Sequence, residues 1–247
     1  MRQKKSFVIS FPRLNIKRLF FLISIVVLVV TIAGIYFYFR IKNITVSGLQ
    51  TGETVQGLTT IYQKQIFLVD EEELAKNIKK NNPYVKEVQV KKVYPDSIQL
   101  NIWKYPPLAV LKLPEGFFIL SQDGRILTKE RNNTFTTLPT MTFYQKLAFK
   151  AYKPGEFLTF SDMLQALEFT QALKNFSFTV DTIDIKGTNM IACNLIIDAK
   201  PSTILFSTEK GLDQQLYELN TILKKFSQDS TNFKKIDLRF NRPVVEL

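Results

Sequence analysis

The run Leu19–Phe39, LFFLISIVVLVVTIAGIYFYF, holds 21 residues without a charge, and it restricts the fold more than any other feature of the chain. A helix rises about 1.5 Å per residue, so this run is long enough to cross the ~30 Å hydrocarbon layer of a bilayer. Tyr36 and Tyr38 near its far end suit the membrane–water boundary, where aromatic rings collect. Arg2, Lys4, Lys5, Arg13, Lys17 and Arg18 precede it with no acid, whereas only Arg40 and Lys42 follow closely. The positive-inside rule therefore predicts a cytoplasmic N-terminus and an outer bulk of roughly 200 residues. A cleaved signal peptide is the competing reading. It is disfavoured because the apolar stretch is longer than such segments need and runs into Tyr36-Phe37-Tyr38-Phe39-Arg40 rather than a small-residue cleavage site. Leu19 to Phe39 is thus expected to be an uncleaved single-pass anchor in the lipid bilayer.

Two absences narrow the chemistry. The 247 residues include no histidine and one cysteine, Cys193. Imidazole-based catalysis, cysteine-rich metal sites and an intrachain disulfide are all excluded. Ile191, Leu195 and Ile197 around Cys193 predict a buried thiol in a strand. The formal charge of +11 is not a nucleic-acid signature. The tail at 1–18 supplies +6, and the other basic residues are spread among acids as a solvated surface, so no nucleic-acid partner is expected.

After the anchor the pattern shortens. Ile41–Val46 reads as a strand ended by the turn pair Ser47-Gly48. Residues 53–63 read as weakly helical. Asp70 is a predicted cap for a helix with Glu73 completing a capping box, Leu74, Ala75 and Ile78 as its apolar stripe, and Asn81-Asn82-Pro83 as its stop. Val88 and Val90, then Ile98, Leu100 and Ile102, alternate with polar residues on either side of a Tyr94-Pro95-Asp96 turn. The predicted order is β-α-α-β-β, a small sheet with helices on one face.

From Val110 onward, mostly antiparallel β structure with two helices is expected. Ser121-Gln122-Asp123-Gly124 is a tight turn between two apolar runs. A helix is predicted over 161–174 with Ser161 or Asp162 as cap, strands at 178–185, 190–198 and 203–207, and an amphipathic helix at 212–226.

Several of these segments resemble the FtsQ/DivIB family of bacterial cell-division proteins. Ile44-Thr45-Val46-Ser47-Gly48, Ile66-Phe67-Leu68-Val69-Asp70 and Val93-Tyr94-Pro95-Asp96-Ser97-Ile98 resemble that family's POTRA domain. Ile102-Trp103-Lys104-Tyr105-Pro106-Pro107-Leu108-Ala109 resembles its Val-x-Glu-(Arg/Tyr)-x-Pro-Val-Ala junction, with Lys104 where the family usually has Glu. Ser121 stands where the family commonly has Asp, Leu138-Pro139 resembles its Leu-Pro step, and Asp237-Leu238-Arg239-Phe240 followed by a short apolar strand resembles its C-terminal end. The resemblance implies an α+β protein organised as a cytoplasmic basic tail (1–18), a transmembrane helix (19–39), a POTRA-like domain (40–107) and a β-domain (108–247).

It further implies a non-enzymatic scaffold at the division septum, without cofactor or metal. Its C-terminal strand would pair with FtsB-like protein, itself bound to an FtsL-like one, through Arg239, Phe240, Val244, Val245, Glu246 and Leu247. Other division proteins could meet the POTRA domain. Two alternatives compete. One is a POTRA-type adaptor of a secretion or envelope-assembly system. The other is a membrane-anchored Ser/Lys hydrolase built on Ser207-Thr208-Glu209-Lys210, a spacing without the companion motifs such enzymes carry.

Overall fold

The uncharged run forms one continuous helix, α1, at Ile16–Tyr38. A computed structural model describes residues 16–49, 53–187, 189–197, 200–229 and 233–247. Residues 1–15, with Arg2, Lys4, Lys5 and Arg13, lie outside the described residues, as do Asp198 and the start of the loop after Gly48–Leu49. Among the described residues α1 contains the one segment, Leu19–Tyr38, long and apolar enough to cross a membrane, and none of it is buried against protein. Phe39 lies just past the helix and still donates its amide to Ile35 O at 3.2 Å.

The chain divides into two compact units, Met1–Ser47 with Leu58–Ala75 and Gln89–Asn101, and Gly48–Gly57 with Lys76–Val88 and Ile102–Leu247. A three-stranded sheet has the order β1-β3-β2, with β1 at Asn43–Ser47, β2 at Val85–Val93 and β3 at Ser97–Lys104. β1 runs parallel to β3, in register from Asn43 opposite Ser97 to Ser47 opposite Asn101. Gly48 ends β1 with φ +87°, and a Cβ there would lie 1.9 Å from Ile102 O, so only glycine fits.

The helix α2, Glu71–Asn81, follows its sequence signals. One oxygen of Asp70 accepts from the amides of Glu72 and Glu73 at 2.9 and 3.1 Å. Three glutamates in the first turn and Lys79 and Lys80 in the last complement the helix dipole. Leu74 and Ile78 are buried. The helix expected at 53–63 does not form. The segment is a series of turns, and the second helical element is only a 3₁₀ turn at Ile66–Leu68. The cause is visible at Gln56 and Gly57. The side chain of buried Asn82 takes both the N–H and the C=O of Gln56, at 2.9 and 3.0 Å, groups a helix would need for its own ladder. Gly57 has φ +96°, which a right-handed helix does not admit.

The larger sheet has nine strands. They are β4 (Pro107–Leu113), β5 (Gly116–Ser121), β6 (Ile126–Glu130), β7 (Thr140–Phe143), β8 (Thr179–Ile185), β9 (Ile191–Ile197), β10 (Lys200–Phe206), β11 (Lys235–Asp237) and β12 (Val244–Glu246). Their spatial order is β12-β11-β10-β9-β8-β7-β4-β5-β6. Most neighbours are antiparallel, but β4–β7, β7–β8 and β10–β11 are parallel pairs. Each parallel step needs a long return, and the helices α3 (Ser161–Asn175) and α4 (Leu212–Asp229) supply two of them. Phe160, extended and packed against Phe143, occupies the cap position of α3. This corrects the expected cap, since Ser161 and Asp162 already sit inside the first turn. Between β5 and β6, Gly124 closes the predicted turn with φ +76°, its amide bonded to Ser121 O.

α3 and α4 contribute to one apolar core with the sheet. The other face carries a polar ladder in which Asn194 donates to Thr182 and Asp184, and Thr142 donates to Asp184. Cys193 is fully buried, as its apolar neighbours imply, and burial followed by the nearby Asp184 pushes its thiol up to about 12. At the centre, Phe169 of α3 stacks on Phe206 of β10 with ring centroids 3.9 Å apart, both without exposed surface. Phe206→Ala is expected to lower stability by about 4 kcal/mol, the size of a buried Phe truncation. A thermal melt of the full chain should fall by roughly 10 °C. A loss within ~1 kcal/mol would mean the site collapses around the missing ring.

Candidate functional site

Short strands at the end of a sheet matter because their outer backbone groups have no partner in their own chain. β12 occupies that position. β11 joins it to the body of the sheet, running parallel to β10 with Ile204 opposite Ile236, and antiparallel to β12 with Ile236 opposite Val245. Ile236 is fully buried and anchors the pair to the core, and Val245 packs partly against the same cluster. Lys234 N–H donates to Glu246 O at 2.9 Å, which turns the backbone of Glu246 toward β11. By alternation the N–H and C=O of Val245 point to the open edge. Val244 and Leu247 are more than half exposed and lie near exposed Phe240 in sequence.

The connection between β11 and β12 is held by charges. Arg239 grips Asp237 with two parallel bonds, Nε to Oδ1 at 2.9 Å and Nη2 to Oδ2 at 2.7 Å, and its backbone N–H reaches Oδ1 at 3.2 Å. The guanidinium also lies 5.5 Å over the ring of Phe240. Burial pushes the Asp237 carboxyl up, but the hydrogen bonds and charge of Arg239 outweigh it and hold the group below the ordinary carboxylate range. Reciprocally, Arg239 is raised by its bond to Asp237. A depressed folded value means the contribution is complete above the unfolded value, ~4, and disappears as pH falls below it through the folded one. Thermal melts between pH 6 and 2 are expected to show this loss in the wild type and less of it in Asp237→Asn. Parallel curves would mean the pair contributes nothing to folding.

Lys210 fixes the same loop from the other side. Its ammonium pairs with Glu218 of α4 at 2.5 Å, with 10% and 17% of the two side chains exposed, and donates to Leu238 O at 3.2 Å and Phe240 O at 3.0 Å. Gln215, wholly buried, ties down the preceding turn by accepting from Ser207 N and donating to Ser207 O and Lys210 O, each at 2.8 Å. The Ser-x-x-Lys spacing is therefore structural here. Ser207 is buried and its hydroxyl oxygen accepts from Glu209 N–H, while Lys210 is committed to the 238–240 loop. Neither the Lys210–Glu218 pair nor Gln215 was legible as part of an edge, since their partners lie up to 30 residues away.

The substitution at the junction also has a local answer. Lys104 pairs with Glu53 at 2.8 Å, so the cation found in place of the usual acid meets a carboxylate of its own. At this exposure the pair contributes ~0–1 kcal/mol.

Comparison with known proteins adds family relationships to this geometry. Residues 39–105 match the POTRA domain of the FtsQ type. A cell division protein DivIB from Clostridium botulinum strain Hall is 32% identical over 114 residues, which is 45% of this chain and 43% of that protein. A cell division protein FtsQ from Rickettsia bellii is 26% identical over 94 residues, 37% of this chain and 35% of that protein. The matches thus span less than half the length of these relatives. The solved extracytoplasmic domain of DivIB from Geobacillus stearothermophilus aligns over 45% of this chain and 85% of that domain at 12% identity, with a TM-score of 0.28. Residues 39–105 thus match an FtsQ-type POTRA domain, and under half of the chain is similar to cell division proteins named DivIB and FtsQ.

Proposed function

We propose that the chain serves cell division as a non-enzymatic scaffold, anchored in the bacterial membrane by α1 with its N-terminus cytoplasmic and its bulk outside, at the septum. Its β12 edge takes up an extended segment of an FtsB-like protein bound to an FtsL-like one. The observation that carries this reading is the position of β12 at the end of the nine-stranded sheet, with the backbone of Val245 turned outward. A partner strand laid there would complete the ladder, and backbone bonds would supply affinity while Phe240, Val244, Glu246 and Leu247 set specificity. Arg239 would act less by contact than by holding the loop that presents the strand. The relatives named as cell division proteins support the biological setting. The commitment of Lys210 to Glu218 supports the non-enzymatic reading.

The test is co-purification of the tagged full chain from detergent-solubilised membranes. FtsB- and FtsL-like partners are expected to elute with it at equal stoichiometry. Their absence, with secretion or envelope-assembly components in their place, would favour the adaptor reading instead.

A further inference from the structure

The membrane-proximal unit exposes a group of large apolar side chains that neither its own core nor the proposed partner edge accounts for. Leu68 is 79% exposed, and Tyr94, Phe67 and Tyr62 are each more than half exposed. Tyr62 lines a hollow with Phe37 and Tyr38 at the end of α1, and the others are not scattered. The ring of Phe67 lies 4.7 Å from that of Phe39 and 5.7 Å from that of Tyr94, which makes a continuous aromatic row. Exposed apolar groups gathered in this way mark a surface that is covered in use.

Where that row sits identifies what covers it. The segment 63–66 is hydrogen-bonded directly to the end of α1 and the residues just after it. Gln65 donates its side-chain amide to Tyr36 O at 2.8 Å, satisfying one of the carbonyls a helix leaves unpaired in its last turn. Ile66 N–H donates to Phe39 O at 3.1 Å, Ile41 N–H to Lys64 O at 2.9 Å, and Arg40 Nε to Gln63 O at 2.7 Å. No slack tether separates the apolar row from the helix end, because Phe39 itself begins the row. The apolar span ends at Tyr38. If α1 crosses a bilayer, Phe67 and its neighbours are therefore held at the level where hydrocarbon gives way to headgroups.

We propose that Tyr62, Phe67, Leu68 and Tyr94 form a foot embedded in the headgroup–acyl boundary of the bilayer that α1 crosses, so that this unit rests on the membrane. The side chains suit that depth. Tyrosine places an apolar ring inward and a hydroxyl toward water, and Phe and Leu supply the buried area. Lys64 is exposed beside the helix end and can reach phosphates, whereas Lys42 pairs with Asp96 at 3.3 Å. The acidic first turn of α2 begins three residues after Leu68, so apolar area rather than attraction to anionic lipid carries the contact.

The experiment uses the full chain in phosphatidylcholine–phosphatidylglycerol nanodiscs, whose two faces are both open to solvent. Trp103, the one native tryptophan, is replaced by phenylalanine, and Leu68→Trp or Tyr62→Trp places the reporter on the foot. Lipids brominated near the headgroup are expected to quench either reporter by about half, with blue-shifted emission and little effect of iodide. Full quenching by iodide with none by bromolipid at both positions would overturn the foot while leaving the spanning helix standing. A chain that elutes apart from the discs would overturn both.

Discussion

Val245→Pro is expected to lower affinity for the FtsB-like segment by about a hundredfold, or ~2.7 kcal/mol, while thermal stability falls by only a few degrees. The asymmetry follows from the way β12 is hung on the sheet. Glu246 turns its backbone toward β11, where its carbonyl accepts from Lys234, so the groups of Val245 face outward. Proline at 245 removes the outward donor and sets its ring where an incoming strand must lie. The bonds that attach β12 to β11 do not use that donor. The side chain of Val245 is only partly buried, so its loss costs about 1 kcal/mol of packing. Titration of the full chain in detergent with the partner complex, beside melts of the same samples, separates the two effects. Unchanged affinity would remove β12 from the interface, and a collapse of the melt would mean that the edge is part of the core.

Lys210→Met is expected to destabilise the chain by about 3 kcal/mol, because it leaves Glu218 desolvated without its counter-charge and two loop carbonyls without a donor. In a unit of this size that corresponds to a melting temperature lower by roughly 10 °C. The same change should weaken partner binding, since Lys210 holds Leu238 and Phe240, the approach to β12. The double variant Lys210→Met with Glu218→Leu replaces both charges by apolar groups and should recover much of the stability. Binding should remain weak in the double variant, because the loop carbonyls are still unheld. A single variant within ~0.5 kcal/mol of wild type would show that the pair is solvated and the loop is fixed by other means.

The elements legible in the sequence were those whose causes are local. The cap at Asp70, the Asp123-Gly124 turn and the buried strand around Cys193 each need only a few neighbouring residues, and the structure has all three. What escaped depends on distant partners. Residues 53–63 had a weak helical pattern, but Asn82, 26 residues on, takes the backbone groups of Gln56. β7 has four residues and lies parallel between β4 and β8, an arrangement its own pattern cannot announce. The tail at 236–247 resembles a partner-binding end, but its place at the end of the sheet is geometry the sequence does not supply. Gln215 lies on α4 beside the apolar position Leu216, and nothing in the local pattern marks it as a core residue. It is fully buried because it closes the turn at Ser207–Lys210.

Amide hydrogen exchange of the full chain, followed with and without the FtsB- and FtsL-like complex, tests the edge most directly. The amide of Val245 faces outward and should exchange quickly in the free chain, then slow by about a hundredfold on binding, while amides of the β1-β3-β2 sheet keep their rates. Saturating partner with Val245 still exchanging as fast as in the free chain would contradict strand addition at β12.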